Sequence, residues 1–184
     1  MYRDRIKWND KYLRRQSSSA PSRIVKNHYA LSRKGKALDI AAGTGRNSTF
    51  LAENGFSVEA VDISDVALKQ LAGLYPNLQP ICADLDTFDI PPDRFALILN
   101  IRFLNRRLFP LIIEGLAPGG ILIFESYLEK PPRSDEGPTC RDYLLRKNEL
   151  LHAFLSLNIL YYREGTTSNR KAHGSVASLV AIKR

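Results

Sequence analysis

Apolar runs of strand length alternate with stretches of helical spacing along most of the chain. Ala37, Leu38, Ile40 and Ala41 predict a first buried strand. Helical spacing resumes at Phe50-Leu51 and predicts a helix over 47–53, stopped by Asn54-Gly55. Phe56, Val58, Ala60 and Val61 predict a second strand that ends in Asp62-Ile63. Ser64 is placed to cap a helix carrying Val66, Ala67, Leu68, Leu71 and Ala72. Leu78 to Ala83 predicts a third strand ending in Asp84-Leu85, and Phe95 to Leu99 a fourth ending in Asn100-Ile101-Arg102-Phe103. Leu104, Leu108, Ile112, Ile113 and Leu116 fit one helix face, stopped by Ala117-Pro118-Gly119-Gly120 ahead of a fifth strand at 121–124.

The remainder is less regular. Residues 129–139 hold three prolines and a glycine and predict a loop long enough to cover a substrate. Tyr143 to Leu155 predicts a helix with a break at Asn148. Two strands, 157–163 and 175–182, bracket a polar linker that carries Arg170, Lys171 and His173. Strand–helix alternation that closes in two consecutive strands predicts an α/β fold with a mostly parallel sheet and an antiparallel edge hairpin.

Ahead of the first strand, residues 1–35 read as a separate N-terminal arm or lid on a domain formed by residues 36–184. Trp8 and Tyr12, four apart, share one face of a short helix. Ile24, Val25 and Tyr29 suggest a second short helix after a serine-rich break. Charge sets this arm apart. Residues 1–36 carry eleven Lys/Arg and two Asp, which accounts for the whole net charge of +8, the rest of the chain summing to −1. A basic arm suits RNA or an anionic surface, or simply a solvated segment packed over a site.

The 44% hydrophobic and 25% charged content is that of an ordinary globular protein. No apolar run approaches the roughly 20 residues that span a bilayer, and the Arg/Lys-rich N-terminus lacks the apolar core of a secretory signal. A cytoplasmic location is expected. Cys82 and Cys140 have no neighbours at ligand spacing, so neither a metal site nor a disulfide framework is expected.

The candidate chemistry lies where the first strand meets its helix. Gly43 and Gly45 permit a tight turn that a ligand can approach along bare backbone, and the helix that follows offers free N–H groups. A full dinucleotide fingerprint would need a third glycine, and that position is Ser48. Asp39, four residues before Gly43, suits a cationic ligand and repels a pyrophosphate. Asp62 lies 17 residues after Gly45, the distance at which an acid accepts ribose hydroxyls. It also reads as a helix N-terminal acid beside Ser64.

Asp39-x-Ala41-x-Gly43-Thr44-Gly45, Asp62-Ile63-Ser64, Asp84-Leu85 and Leu116-Ala117-Pro118-Gly119-Gly120 together resemble the motifs of class I S-adenosylmethionine-dependent methyltransferases. Gly45-Arg46-Asn47-Ser48 and Gly55-Phe56-x-Val58-x-Ala60-x-Asp62 resemble the small tellurite-resistance-type group within it. The resemblance implies a Rossmann-like seven-stranded sheet of order 3-2-1-4-5-7-6 with the last strand antiparallel. It implies S-adenosyl-L-methionine as cofactor and S-adenosyl-L-homocysteine as product. Asp39, Gly43 and Gly45 would hold the methionine end, Asp62 the ribose, and Asp84 with Leu85 the adenine, with Ala41, Ile63 and Asn100 also among the cofactor-binding residues. Trp8 and Tyr12 would cover the nucleoside or merely dock the arm. Arg46 would cover the sulfonium, hold a substrate anion or sit on the helix surface.

The acceptor is expected beyond the fourth strand, near Asn100, Arg102 and Tyr127, the candidates for catalytic residues. Asn100-Ile101-Arg102-Phe103 lacks the Asn/Asp-Pro-Pro-aromatic signature of amino methyltransferases, and no Pro-Cys pair is present for attack on cytosine. A small-molecule acceptor, anionic if Arg46, Arg102, Arg106 and Arg107 form one cationic pocket, is the expected partner of a monomer or homodimer. The alternative is a basic-armed factor associated with RNA or protein. His28, His152 and His173 have no evident partner in the sequence.

Overall fold

A computed structural model describes residues 2–14, 18–129, 141–166 and 175–184. The predicted loop over 129–139 lies almost wholly outside the described residues, as do Cys140, Arg170, Lys171 and His173.

Seven strands form one sheet: β1 Lys36–Ile40, β2 Ser57–Asp62, β3 Leu78–Cys82, β4 Phe95–Ile101, β5 Leu116–Tyr127, β6 Asn158–Thr166 and β7 Ser175–Ile182. Their order is β3-β2-β1-β4-β5-β7-β6. The first five are parallel, and β7 runs antiparallel to both β5 and β6. Six helices, α1 Tyr2–Arg14, α2 Arg23–His28, α3 Arg46–Glu53, α4 Asp65–Lys69, α5 Leu108–Gly115 and α6 Glu149–Ala153, complete the described elements, with short 3-10 turns after α2 and before α6.

Both faces of the sheet are covered, which explains why its strands read as nearly unbroken apolar runs. Leu38, Ile40, Ile98, Leu122 and Phe124 pack on one face with Leu108, Ile112 and Phe154. Ala37, Val58, Leu97, Leu99, Ile121 and Ile123 pack on the other with Ile24 and Val25 of α2 and Leu51 of α3. The second half of the N-terminal region therefore contributes to the core. The register aligns the strand tips: Ile40 is opposite both Val61 and Asn100, and Ile101 is opposite Glu125. Asp39, Asp62, Asn100 and Glu125 consequently collect along the carboxyl edge of the sheet.

Several predicted boundaries move. Ala41 is not part of β1; it turns the chain with φ 55°. The capped helix is only α4, five residues long, and Leu71 completes its apolar face from the following turn. The helix expected from Leu104 begins at Leu108, because Asn105 bonds Asp86 and the Arg107 N–H and holds the preceding residues in a loop. Pro118-Gly119-Gly120 does not precede β5 but lies within it. Gly119 takes φ 75° and donates to the Lys183 carbonyl at 2.8 Å, and a Cβ on Gly120 would stand 2.7 Å from the Ala117 carbonyl. The helix expected over 143–155 is reduced to α6. Asn148, at φ 60°, starts it, with its N–H bonded to Glu164 at 2.6 Å.

Candidate active site

The turn after β1 carries three left-handed residues in close succession, Ala41, Gly43 and Gly45. Two backbone bonds fix it: Ala42 N–H to the Val61 carbonyl and Gly45 N–H to the Ala42 carbonyl, each 3.0 Å. Gly45 is required by packing as well as by φ, since a Cβ there would lie 2.3 Å from Leu71, itself fully buried. Asp62, at the tip of β2, clasps the turn. Its Oδ2 accepts the Gly43 N–H and its Oδ1 the Ser64 N–H, both at 2.8 Å. Burial raises its pKa above the ordinary carboxylate value, against the pull of those backbone donors. Asp62 thus organises the start of α4, and each of its oxygens keeps a spare lone pair.

Asp39 is sealed beneath the turn, where burial pushes its pKa up to about 7 despite the Ser48 hydrogen bond and the nearby Arg46 charge. Ser48 Oγ donates to Asp39 Oδ2 at 2.6 Å. The place of the missing third glycine is therefore taken by the hydroxyl that holds this acid.

α1 lies across α4. Asn9 donates to Asp65 Oδ1 at 2.8 Å and accepts from Ser64 Oγ at 2.6 Å. The same Ser64 Oγ accepts the Ala67 N–H at 3.1 Å and caps α4. Tyr12 extends from α1 onto the glycine turn, so that a Cβ on Gly43 would be 2.6 Å from its hydroxyl. Burial, then the Asp62 charge, pushes the Tyr12 pKa up to about 12, while Arg46 opposes the shift. Trp8 stacks on Tyr12 with ring centroids 5.9 Å apart. Arg46, the first residue of α3, donates to Ser22 Oγ at 3.0 Å and so ties the arm to the turn. Leu85 is buried in the core and Ile63 is half-buried. Asp84 Oδ1 accepts the Asp86 N–H at 3.0 Å in a local turn.

At the tips of β4 and β5, Asn100 is buried and donates to the Phe103 carbonyl at 2.7 Å, which shapes the loop beyond it. Arg102 adopts φ 64°. Its guanidinium lies 4.6 Å over the Tyr127 ring and 3.2 Å from Glu125 Oε1. The expected pocket of four arginines does not form. Arg106 binds both Glu149 oxygens, at 2.5 and 2.9 Å, and the carbonyls of Asp142 and Leu144. Arg107 binds Asp89 and the Phe88 carbonyl. Each is consumed by local loop structure, which spacing along one helix could not reveal. His28 Nδ1 lies 2.9 Å from the Ile24 carbonyl, one turn back in α2. Asn9, Ser48, Glu125 and Ser178 were not singled out by sequence reasoning. Only Ser48 left a signal, as the polar residue where a glycine was sought.

Residues 37–120 match the family described as a methyltransferase domain. The putative methyltransferase YqeM of Bacillus subtilis is 31% identical over 108 residues, which are 52% of this chain and 44% of YqeM. The matched part of the chain thus spans less than half the length of that curated relative. Among solved structures, TehB of Haemophilus influenzae superposes with a TM-score of 0.75 at 20% identity, covering 98% of this chain and 67% of TehB. The 1,6-didemethyltoxoflavin-N1-methyltransferase of Burkholderia thailandensis, solved with its substrate and S-adenosylhomocysteine, gives 0.72 at 17% identity, covering 98% and 86%. At these identities the structural likeness is one of fold. The fold is the one these methyltransferases share, and residues 37–120 are similar to a methyltransferase domain.

Proposed function

We propose that the protein transfers a methyl group from S-adenosylmethionine to a small-molecule acceptor at the carboxyl edge of the sheet. The observation that carries this reading is the Asp62 clasp: one carboxylate fixes the glycine turn through Gly43 and keeps lone pairs for vicinal hydroxyls. The residues fit such a cofactor. Gly43 offers bare backbone once Tyr12 moves off it, Gly45 lets the turn pack on Leu71, and Asp39 beneath the turn adds negative potential as it ionises, which disfavours a phosphate. Asp84 and Leu85 stand at the next tip, where an adenine would lie. Trp8 and Tyr12 form the cover, and α1 makes room as a ligand enters, because Tyr12 rests on the turn itself.

The cofactor, when bound, supplies an already activated methyl on a sulfonium. The chain's own task is to hold the acceptor in line with it and to exclude water. Asn100 shapes the acceptor's wall, and Arg102 with Tyr127 provides its polar surface. The Burkholderia relative, whose structure holds a small-molecule substrate with S-adenosylhomocysteine, supports the acceptor class.

Calorimetric titration tests the reading. S-adenosylhomocysteine is expected to bind and NAD is not. Asp62→Ala is expected to weaken S-adenosylhomocysteine by about 1–3 kcal/mol, the usual loss when buried polar groups are unpaired. Folded protein that ignores the ligand at millimolar concentration would end the proposal.

A further inference from the structure

Only two buried side-chain polar atoms among the described residues lack a hydrogen-bond partner, Arg102 Nη1 and Ser126 Oγ. Both belong to the tips of β4 and β5. Buried donors are paired in the great majority of native structures, so an unpaired guanidinium nitrogen calls for an explanation. Every other contact of Arg102 is defined. Its N–H donates to the Glu125 carbonyl at 2.7 Å, which holds the residue at φ 64°. A left-handed non-glycine residue is strained, and such strain concentrates at functional sites. Its Nη2 meets Glu125 Oε1 at 3.2 Å, and Glu125 Oε2 is in turn bonded by Ser178 Oγ of β7 at 2.8 Å. The Tyr127 ring supports the guanidinium from below at 4.6 Å. The group is thus fixed from three sides.

It also faces the right way. Glu125 and Tyr127 continue the alternation of Ile121 and Ile123, which pack on the sheet face shared with α2 and α3. That is the face on which Ser48 of α3 bonds Asp39. The side chain keeps 22% of its surface open, while Nη1 itself is buried, so a ligand reaches that nitrogen only as the loop around it gives way. Arg106 and Arg107 offer no such free donor, because both are engaged by local acids and carbonyls.

We propose that Arg102, supported by Tyr127, is the subsite that takes a carboxylate of the methyl acceptor, with Glu125 and Ser178 as positioning residues. A planar carboxylate matches the fork of guanidinium donors, and the single long contact to Glu125 leaves donors for it. This inference rests on the methyltransferase reading.

The test uses the full chain saturated with S-adenosylhomocysteine and follows benzoate and its neutral analogue benzamide by NMR chemical-shift titration. Benzoate is expected to bind at least tenfold tighter than benzamide. Arg102→Met should lose that preference while S-adenosylhomocysteine affinity, the check on folding, stays within a factor of two. Arg102→Lys should keep part of the preference, and Glu125→Gln should weaken benzoate less than Arg102→Met does. Absence of benzoate binding, equal binding of the two probes, or an Arg102→Met variant that still prefers benzoate would overturn the subsite while leaving the cofactor reading intact. Failure of the wild-type chain to bind S-adenosylhomocysteine would instead overturn that reading, and the subsite with it.

Discussion

The two ends of the sheet's carboxyl edge are built on opposite principles. At the tips of β1 and β2, the buried polar groups answer one another: Asp62 to Gly43 and Ser64, Asp39 to Ser48, Ser64 to Asn9 and Ala67. At the tips of β4 and β5, a strained arginine and a buried serine each leave an atom unanswered. The first end is finished before a ligand arrives, and the second is not. A closed hydrogen-bond set is rigid, whereas an unpaired buried donor is costly and calls for a partner.

Substitutions that attack the finished end should have the largest effects. Gly45→Ala would force a Cβ against the buried Leu71 at a left-handed φ, so unfolding in urea should show a loss of about 3 kcal/mol or more. A loss under about 1 kcal/mol would mean that the turn is less tightly packed than its geometry indicates.

Asp39 gives the next effect, through pH. Its pKa stands near 7 in the folded chain against an ordinary value near 3.8, so the folded state holds the extra proton between these values. The associated stability is complete below pH 4 and is lost as pH rises through 7, with a slope of about 1.4 kcal/mol per pH unit. Asp39→Asn mimics the protonated acid and should flatten that part of the profile. Identical pH profiles for wild type and variant would show that Asp39 is not sealed from water.

The smallest effect belongs to the surface beside the open end. Glu149→Gln should cost less than about 1 kcal/mol, since the Arg106–Glu149 pair is partly solvated. Arg106 holds the Glu149 pKa below its ordinary value, so the pair's contribution is present at neutral pH and fades as pH falls through the acidic range. Methyl transfer should be unchanged. A large loss of turnover would return Arg106 to the acceptor pocket and blur the contrast between the two ends.

The same contrast explains what the sequence disclosed. The glycine turn, Asp39 and Asp62 lie within one strand–helix–strand unit, where spacing along the chain dictates spacing in space. The sheet order was implied by the family resemblance that those local motifs carry, and the structure has that order. The arginines could not be sorted this way. Arg102, Arg106 and Arg107 are near neighbours in sequence, yet one lies against the tip of β5 and two serve loops, because their partners Glu125, Glu149 and Asp89 come from distant parts of the chain. Asn9 reaches Ser64 across 55 positions, and no periodicity announces such a bond. Pro118-Gly119-Gly120 misled for a related reason. A turn signal in isolation became a bulge inside β5, because β4 pairs with Leu116 and Ile121 on either side of it and Lys183 beyond β7 bonds Gly119 and Gly120.

β7, the strand latest in the chain, does not lie at the margin of the sheet but between β5 and β6. During synthesis the ribosome therefore releases β5 and β6 before the strand that joins them exists. The glycine turn can close early, from residues already emerged, but Glu125 has no Ser178 until the last pairing is made. An intermediate arrested at that stage would already possess its clasped glycine turn and still lack the brace behind Arg102.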